Sequence, residues 1–306
     1  MNGHTSLRAA RSVSRSRILD FLELMKPELT GLSVLTAVGG YYLAAGELHL
    51  QAFLAVGFGT LLLGGGAGAL NQYAERSFDA LMKRTERRPL PAGRIPALHA
   101  LVFGSTASLM GLAILFLLLN PLTGALGLAT FVLYVFVYTP MKRVTWYATL
   151  VGAVPGALPP VLGWTAAGGS LDASAAILFL ILFFWQMPHF FSLAWMYRKD
   201  YARAGYRMLT VSDPKGIRTG FQTLLHAAAL LPASLALAGV GLVGPMYVAG
   251  AAVLGAAFLV PCALFLRHSA APEVQSAKVN AIARFVFFAS LIYLPSLFFL
   301  MTVDKV

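Results

Sequence analysis

Cations fall on every second connection between the apolar runs of this chain, and that alternation limits what it can fold into. Nine runs can be marked, at roughly 28–46, 50–74, 97–119, 121–138, 146–167, 174–197, 219–241, 245–266 and 282–303. Each is near the ~20 residues that a helix needs to cross a bilayer. With that division, 22 of the 23 Lys and Arg residues lie on one face of the bundle and only Lys305 on the other. Bases collect on the cytoplasmic side of membrane proteins. The expected fold is therefore all-α: a polytopic membrane protein with nine transmembrane helices and the N-terminus cytoplasmic. A miscounted span would scatter the bases over both faces.

Composition agrees. The chain is 58% hydrophobic and 11% charged, against about 25% charged in a soluble domain. A net charge of +11 would suggest nucleic acid in a soluble protein. Here topology accounts for it, and the expected partner is the lipid bilayer, with no nucleic acid. The single cysteine, Cys262, rules out an internal disulfide. Residues 1–25 read as a basic cytoplasmic tail: Arg8, Arg11, Arg15 and Arg17 precede the first acid, Asp20. Several serines lend the tail some transit-peptide character. Residues 26–306 read as one nine-span domain.

The polar exception is Asn71 to Arg94, NQYAERSFDALMKRTERRPLPAGR. Asn71, Glu75, Asp79 and Lys83 recur every four residues. On a helix such residues share a face, about 6 Å apart along the axis. Carboxylates within a membrane segment are costly and are functional candidates by default. Mg²⁺ takes one or two carboxylates, completed by phosphate oxygens and waters. Asn71, Glu75 and Asp79 therefore read as its ligands. Lys83, and Arg84 with Arg88 four residues on, read as ligands of a diphosphate. Arg87 and Arg94 read as ordinary topology charges, and Pro89 and Pro91 end any helix there. The preceding run of small residues, Gly64 to Ala69, reads as a packing surface for another helix.

Two further groups sit at cytoplasmic ends of expected spans. Tyr138, Lys142 and Arg143 supply a phenol and two cations to grip a diphosphate or protonate a leaving oxygen. His189 follows Pro188 inside the sixth span. It reads either as a helix–helix hydrogen bond or as a contact to a metal or polar substrate. Asp200 reads as a second cation site or as the partner of Arg198 or Arg203.

Taken together these blocks resemble the UbiA superfamily of intramembrane prenyltransferases. The residues that carry the resemblance are NxxxExxxD followed by MKRTxxRPLPxGR, then YTPxKRxT, WQxPHFxxLA and DYxxAGxxML. It runs from Lys26 to the last span, and the HFxxLA segment points to the protohaem IX farnesyltransferase branch. The chain departs from the broad pattern at Glu75, where many members carry aspartate. It departs again in the second acid block, which is reduced to Asp200 between Tyr197 and Tyr201.

The resemblance implies helices around a central cavity, with Mg²⁺ and diphosphate at the cytoplasmic end and the prenyl tail in the apolar interior. It implies farnesyl diphosphate and haem B as substrates and haem O as product. Asn71, Glu75, Asp79, Lys142 and Asp200 take catalytic roles, His189 contacts the haem, and a haem A synthase is the downstream partner. A quinone-pathway aromatic prenyltransferase and an anion transporter are the rival readings. The short tail favours a bacterial plasma membrane over a mitochondrial inner membrane.

Overall fold

A computed structural model describes residues 17–168, 170–271 and 276–306. Arg8, Arg11 and Arg15 of the expected basic tail lie outside them. The described chain is helical, apart from one isolated bridge between Val243 and Lys305. A short helix, α1 (Arg17–Leu24), leads into α2 (Pro27–Ala44) and the long α3 (Leu50–Asp79). Next come α4 (Ala97–Ile114), which runs on through a π-wound turn Leu115–Leu119, and α5 (Pro121–Val132), extended by a π-wound Leu133–Tyr138. After α6 (Ala148–Ala157) and α7 (Pro159–Ala166) come α8 (Ala173–Met196) and the short α9 (Arg198–Arg203). The chain ends with α10 (Ile217–Gly239), α11 (Pro245–Ser269) and α12 (Ser276–Val303).

Seven of these helices are long and apolar enough to cross a membrane. The two other expected spans take different forms. The first is α2, which is 18 residues long and starts on Pro27 and Glu28. The run 146–167 is two short helices, α6 and α7, meeting at Leu158–Pro159. Pro159 and Pro160 lack the N–H that would continue the first helix. The expected tight turn between the third and fourth runs is present: the Asn120 side chain caps α5 by accepting from the Thr123 N–H at 2.9 Å.

Large apolar side chains cover the outside, Leu117 at 80% exposure and Leu109 at 67% among them. In water such a surface would aggregate; in a bilayer it is matched by lipid tails. Inside, Trp185, Trp195, Tyr247, Phe258 and Tyr293 fill the space among α8, α10, α11 and α12.

Glycines set the closest helix approaches. A Cβ on Gly66 would stand 2.6 Å from the Gly104 carbonyl oxygen, so α3 and α4 meet backbone to backbone. This is the packing role expected of the glycine run. Between α2 and α7, a Cβ on Gly163 would collide with the Ala37 carbonyl.

Both ends of the described bundle are tied. Asp20 and Glu23 of α1 pair with Arg94 at 2.7 and 3.0 Å. Arg94, expected to be a bare topology charge, thus anchors α1 to the α3–α4 connection. At the opposite end of the bundle, the Asp304 carboxylate accepts from Tyr247 N at 2.6 Å. The Lys305 ammonium donates to the carbonyls of Tyr42 and Ala45 at 2.7 and 2.6 Å. The segment after α12 therefore joins α2 to the α10–α11 turn.

Candidate active site

The last third of α3 carries Asn71, Gln72, Glu75 and Asp79, all buried. The helix stays regular because its glycine-rich part packs on α4, while its polar end is held by partners from other segments. Lys142 donates to Glu75 Oε1 at 2.7 Å and lies over the Tyr138 ring, 4.6 Å from its centre. Arg88 donates to Asp79 Oδ2 at 2.8 Å. The Asn71 amide donates to Thr139 Oγ1 at 2.8 Å and accepts from Lys26 Nζ. Gln72 faces the other way and donates to the Glu23 and Leu24 carbonyls at the end of α1.

The first and second sequence blocks therefore meet. The third block adds a lid to one side of them. Arg207 N donates to the Lys142 carbonyl at 2.9 Å, and Gly205, at φ 74°, makes the turn that brings this about. A left-handed backbone of this kind favours glycine. The turn buries Tyr206 beside Phe78 and Met82. Its hydroxyl is buried facing the Glu75 carboxylate. Burial, and then the Glu75 carboxylate, push the Tyr206 pKa up, so the group stays a neutral O–H. Burial alone would lower Lys142. The Glu75 charge overrides it and holds the ammonium well above its usual range.

Two of these residues carried no signal in the sequence reading. Lys26 sits at the start of α2 with φ 51°, the one non-glycine residue at positive φ among the described residues. That conformation turns its ammonium onto Asn71 and the Tyr134 hydroxyl. Burial, with Arg88 and Lys142 beside it, lowers its pKa to about 7. Three basic side chains thus crowd two carboxylates, and the site is short of negative charge. Tyr206 stood inside a quoted motif, but nothing in its spacing pointed to Glu75.

Other expected site residues lie elsewhere. Lys83 leaves the stripe because α3 ends at Asp79, and it is exposed. Arg84 and Arg88 do not act as a pair, since the segment between them is a series of turns. Arg84 reaches Tyr201 at 3.4 Å and lies over the Tyr197 ring. Arg143 stacks on Phe78. Asp200 faces Arg203 at 3.5 Å rather than the α3 acids. Among the described residues, no three His, Cys, Asp or Glu side chains gather into a ready metal cage. His189 lies between Trp185 and Phe287, with Nδ1 2.9 Å from Ser290 Oγ, at the α8–α12 interface. No hydrogen bond or ring contact links it to the α3 stripe among the described residues.

The donor set fits a magnesium ion that arrives with a phosphate ligand. One oxygen of each carboxylate is held by a cation, Oε1 of Glu75 and Oδ2 of Asp79. The second oxygens, with the Asn71 amide, are the one or two carboxylates and neutral oxygen that Mg²⁺ accepts when phosphate and water complete its shell. A hollow of about 760 Å³ elsewhere, between α11 and α12, is lined almost wholly by apolar side chains and offers no such chemistry.

Known proteins share both the sequence and the shape. A protein of Solibacter usitatus named protoheme IX farnesyltransferase is 42% identical over 296 residues, covering 94% of this chain and 98% of its own. The human mitochondrial protein of that name is 48% identical over 213 residues, 70% of this chain and 48% of its own. The solved structure of a digeranylgeranylglyceryl phosphate synthase superposes with a TM-score of 0.75 at 16% identity, covering 94% of this chain and all of that one. A UbiA homologue from Archaeoglobus fulgidus, bound to GPP and Mg²⁺, superposes at 0.65 with 15% identity, over 92% of this chain and 99% of that one. The model of the UbiA prenyltransferase family matches residues 33–292, a stretch that takes in the α3 stripe, Lys142 and the α8–α12 interface. With that match and relatives above 40% identity along nearly its whole length, the chain belongs to the UbiA prenyltransferase family.

Proposed function

We infer that this protein is a protohaem IX farnesyltransferase, which joins haem B, farnesyl diphosphate and water to give haem O and diphosphate. The observation that carries the reading is the buried meeting of Asn71, Glu75 and Asp79 with Lys26, Arg88 and Lys142 at one end of an apolar bundle. Relatives that bear this activity's name are 40–48% identical to the chain.

The diphosphate head lies against Lys26, Arg88 and Lys142, with Arg84 at the rim. Asn71, Glu75 and Asp79 would hold a magnesium ion, which would supply charge neutralisation to the leaving group. The C1–O bond of farnesyl diphosphate breaks and its electron pair leaves with the diphosphate. Fixed cations aimed at the leaving oxygens stabilise the charge that develops on them. The Tyr206 hydroxyl, buried beside Glu75, is a further donor toward the same oxygens. The π pair of a haem vinyl group forms the new C–C bond to C1. The cation left on the vinyl carbon next to the macrocycle takes water, which gives up one proton to leave a hydroxyl. The apolar interior keeps water from C1 until that bond has formed.

The membrane unit is residues 26–306, crossing nine times with the N-terminus cytoplasmic, in a bacterial plasma membrane. His189 contacts the haem. Asp200, paired with Arg203 on α9, stands apart from the α3 group. Purified protein incubated with haem B, farnesyl diphosphate and Mg²⁺ yields a product whose mass is that of haem O. Haem B recovered unchanged would overturn the reading. Omitting Mg²⁺, or the Asp79→Asn change, abolishes the product.

A further inference from the structure

Beside the helix break that ends α8 lies a second cavity, of about 280 Å³, lined by Met196, Tyr197, Arg198, Lys199, Asp200 and Asn280. Its donors are pre-set. Asn280 Oδ1 accepts from Trp195 Nε1 at 3.0 Å and from Arg198 Nη1 at 2.9 Å. Both partners are donors, so the oxygen is fixed on their side and the amide NH₂ is turned away from them. Arg198 is pinned further by the Trp195 carbonyl at 2.8 Å, and its guanidinium lies 4.2 Å from the centre of the Trp195 ring. Its remaining N–H groups make no hydrogen bond among the described residues. Lys199 has no ion pair there either, and Asp200 is engaged with Arg203.

A solvated loop base has none of this scaffolding. A guanidinium held against an indole and tied by an amide oxygen keeps N–H groups free for a planar anion. The cavity opens at the same α8–α12 interface that carries His189, which lies seven residues, or about 10 Å along the axis, before the end of α8. Down that interface, Trp185 donates to the Ser290 carbonyl and His189 meets Ser290 Oγ.

A dicarboxylate tetrapyrrole has the matching polarity, with two carboxylates on one edge and an apolar ring behind them. We propose that the Arg198–Lys199–Asn280 cavity binds the propionate carboxylates of the haem acceptor, separately from the diphosphate site on α3. This rests on the haem acceptor assigned above.

The test is equilibrium binding, read by absorbance titration on the full-length protein in phosphatidylcholine nanodiscs without farnesyl diphosphate. Haem B is compared with its dimethyl ester, in which both carboxylates are masked. Wild type binds haem B more tightly than the ester by about tenfold, the scale of one charge-assisted contact. Arg198→Gln and Lys199→Ala each bring the haem B affinity down to that of the ester and leave the ester unchanged. In turnover they raise KM for haem B and not KM for farnesyl diphosphate. Equal binding of the two haems by wild type, or variants that weaken both alike, overturns the proposal. So does a haem B preference that vanishes in phosphatidylglycerol nanodiscs, which assigns the cavity to a lipid phosphate. A carboxylate preference without farnesylated product leaves this subsite standing and sinks the transfer reaction instead.

Discussion

At the scale of single residues, the Glu75–Lys142 contact separates stability from function. Both side chains are nearly buried. Removing one partner strands the other charge, which costs about 3–5 kcal/mol. Glu75→Gln and Lys142→Met are each expected to lower the thermal midpoint in detergent. The double variant is expected to recover much of that loss, because neither charge is then stranded. None of the three should exceed about 1% of wild-type turnover, since the fixed charges at the reacting end are gone. A double variant with restored rate would show the pair to be structural only. Lys26→Met is expected to raise KM for farnesyl diphosphate about tenfold, the loss of one charge-assisted contact. An unchanged KM would remove Lys26 from the site. The spacing of Asn71, Glu75 and Asp79 was legible because one helix fixes all three. Lys26 was not, because its partner lies 45 residues away and a left-handed turn aims it. Lys83 continued the period on paper, but the helix stops one turn short of it.

At the scale of elements, the α3–α4 contact is decided by what a methyl group would meet. Gly66→Ala places a carbon 2.6 Å from backbone oxygen, which cannot step aside. Overpacking of that kind costs about 1–3 kcal/mol. Gly31, on α2, meets nothing within 4 Å. Alanine is the better helix former by about 1 kcal/mol, so Gly31→Ala is expected to hold or raise the midpoint that Gly66→Ala lowers. Equal effects at the two positions would refute close backbone contact as the cause. The apolar runs were legible because bilayer thickness sets their length. The break at Leu158–Pro159 was less so: hydropathy is uniform across it, and only the proline pair marks the change of axis. The two π-wound turns ending α4 and α5 left no mark in composition at all.

At the scale of the molecule, the asymmetry of charge is the strongest statement the chain makes about its setting. Replacing the buried Cys262 with alanine gives a background for single labels. In intact cells an impermeant maleimide is expected to modify Ser170→Cys and to spare Lys83→Cys; both positions are exposed. The reverse labelling would invert the topology. Arg94, counted as a topology charge, also fastens α1, so one base serves both placement and assembly.

The clasp made by Asp304 and Lys305 has a further consequence. It fastens the segment after α12 to the end of α2, with Ala45 and Lys305 standing 260 residues apart in sequence. During synthesis the carbonyls of Tyr42 and Ala45 stay uncapped until α12 has been made. The bundle therefore closes only once α12 is in place, and any substrate loaded earlier meets a half-built vessel.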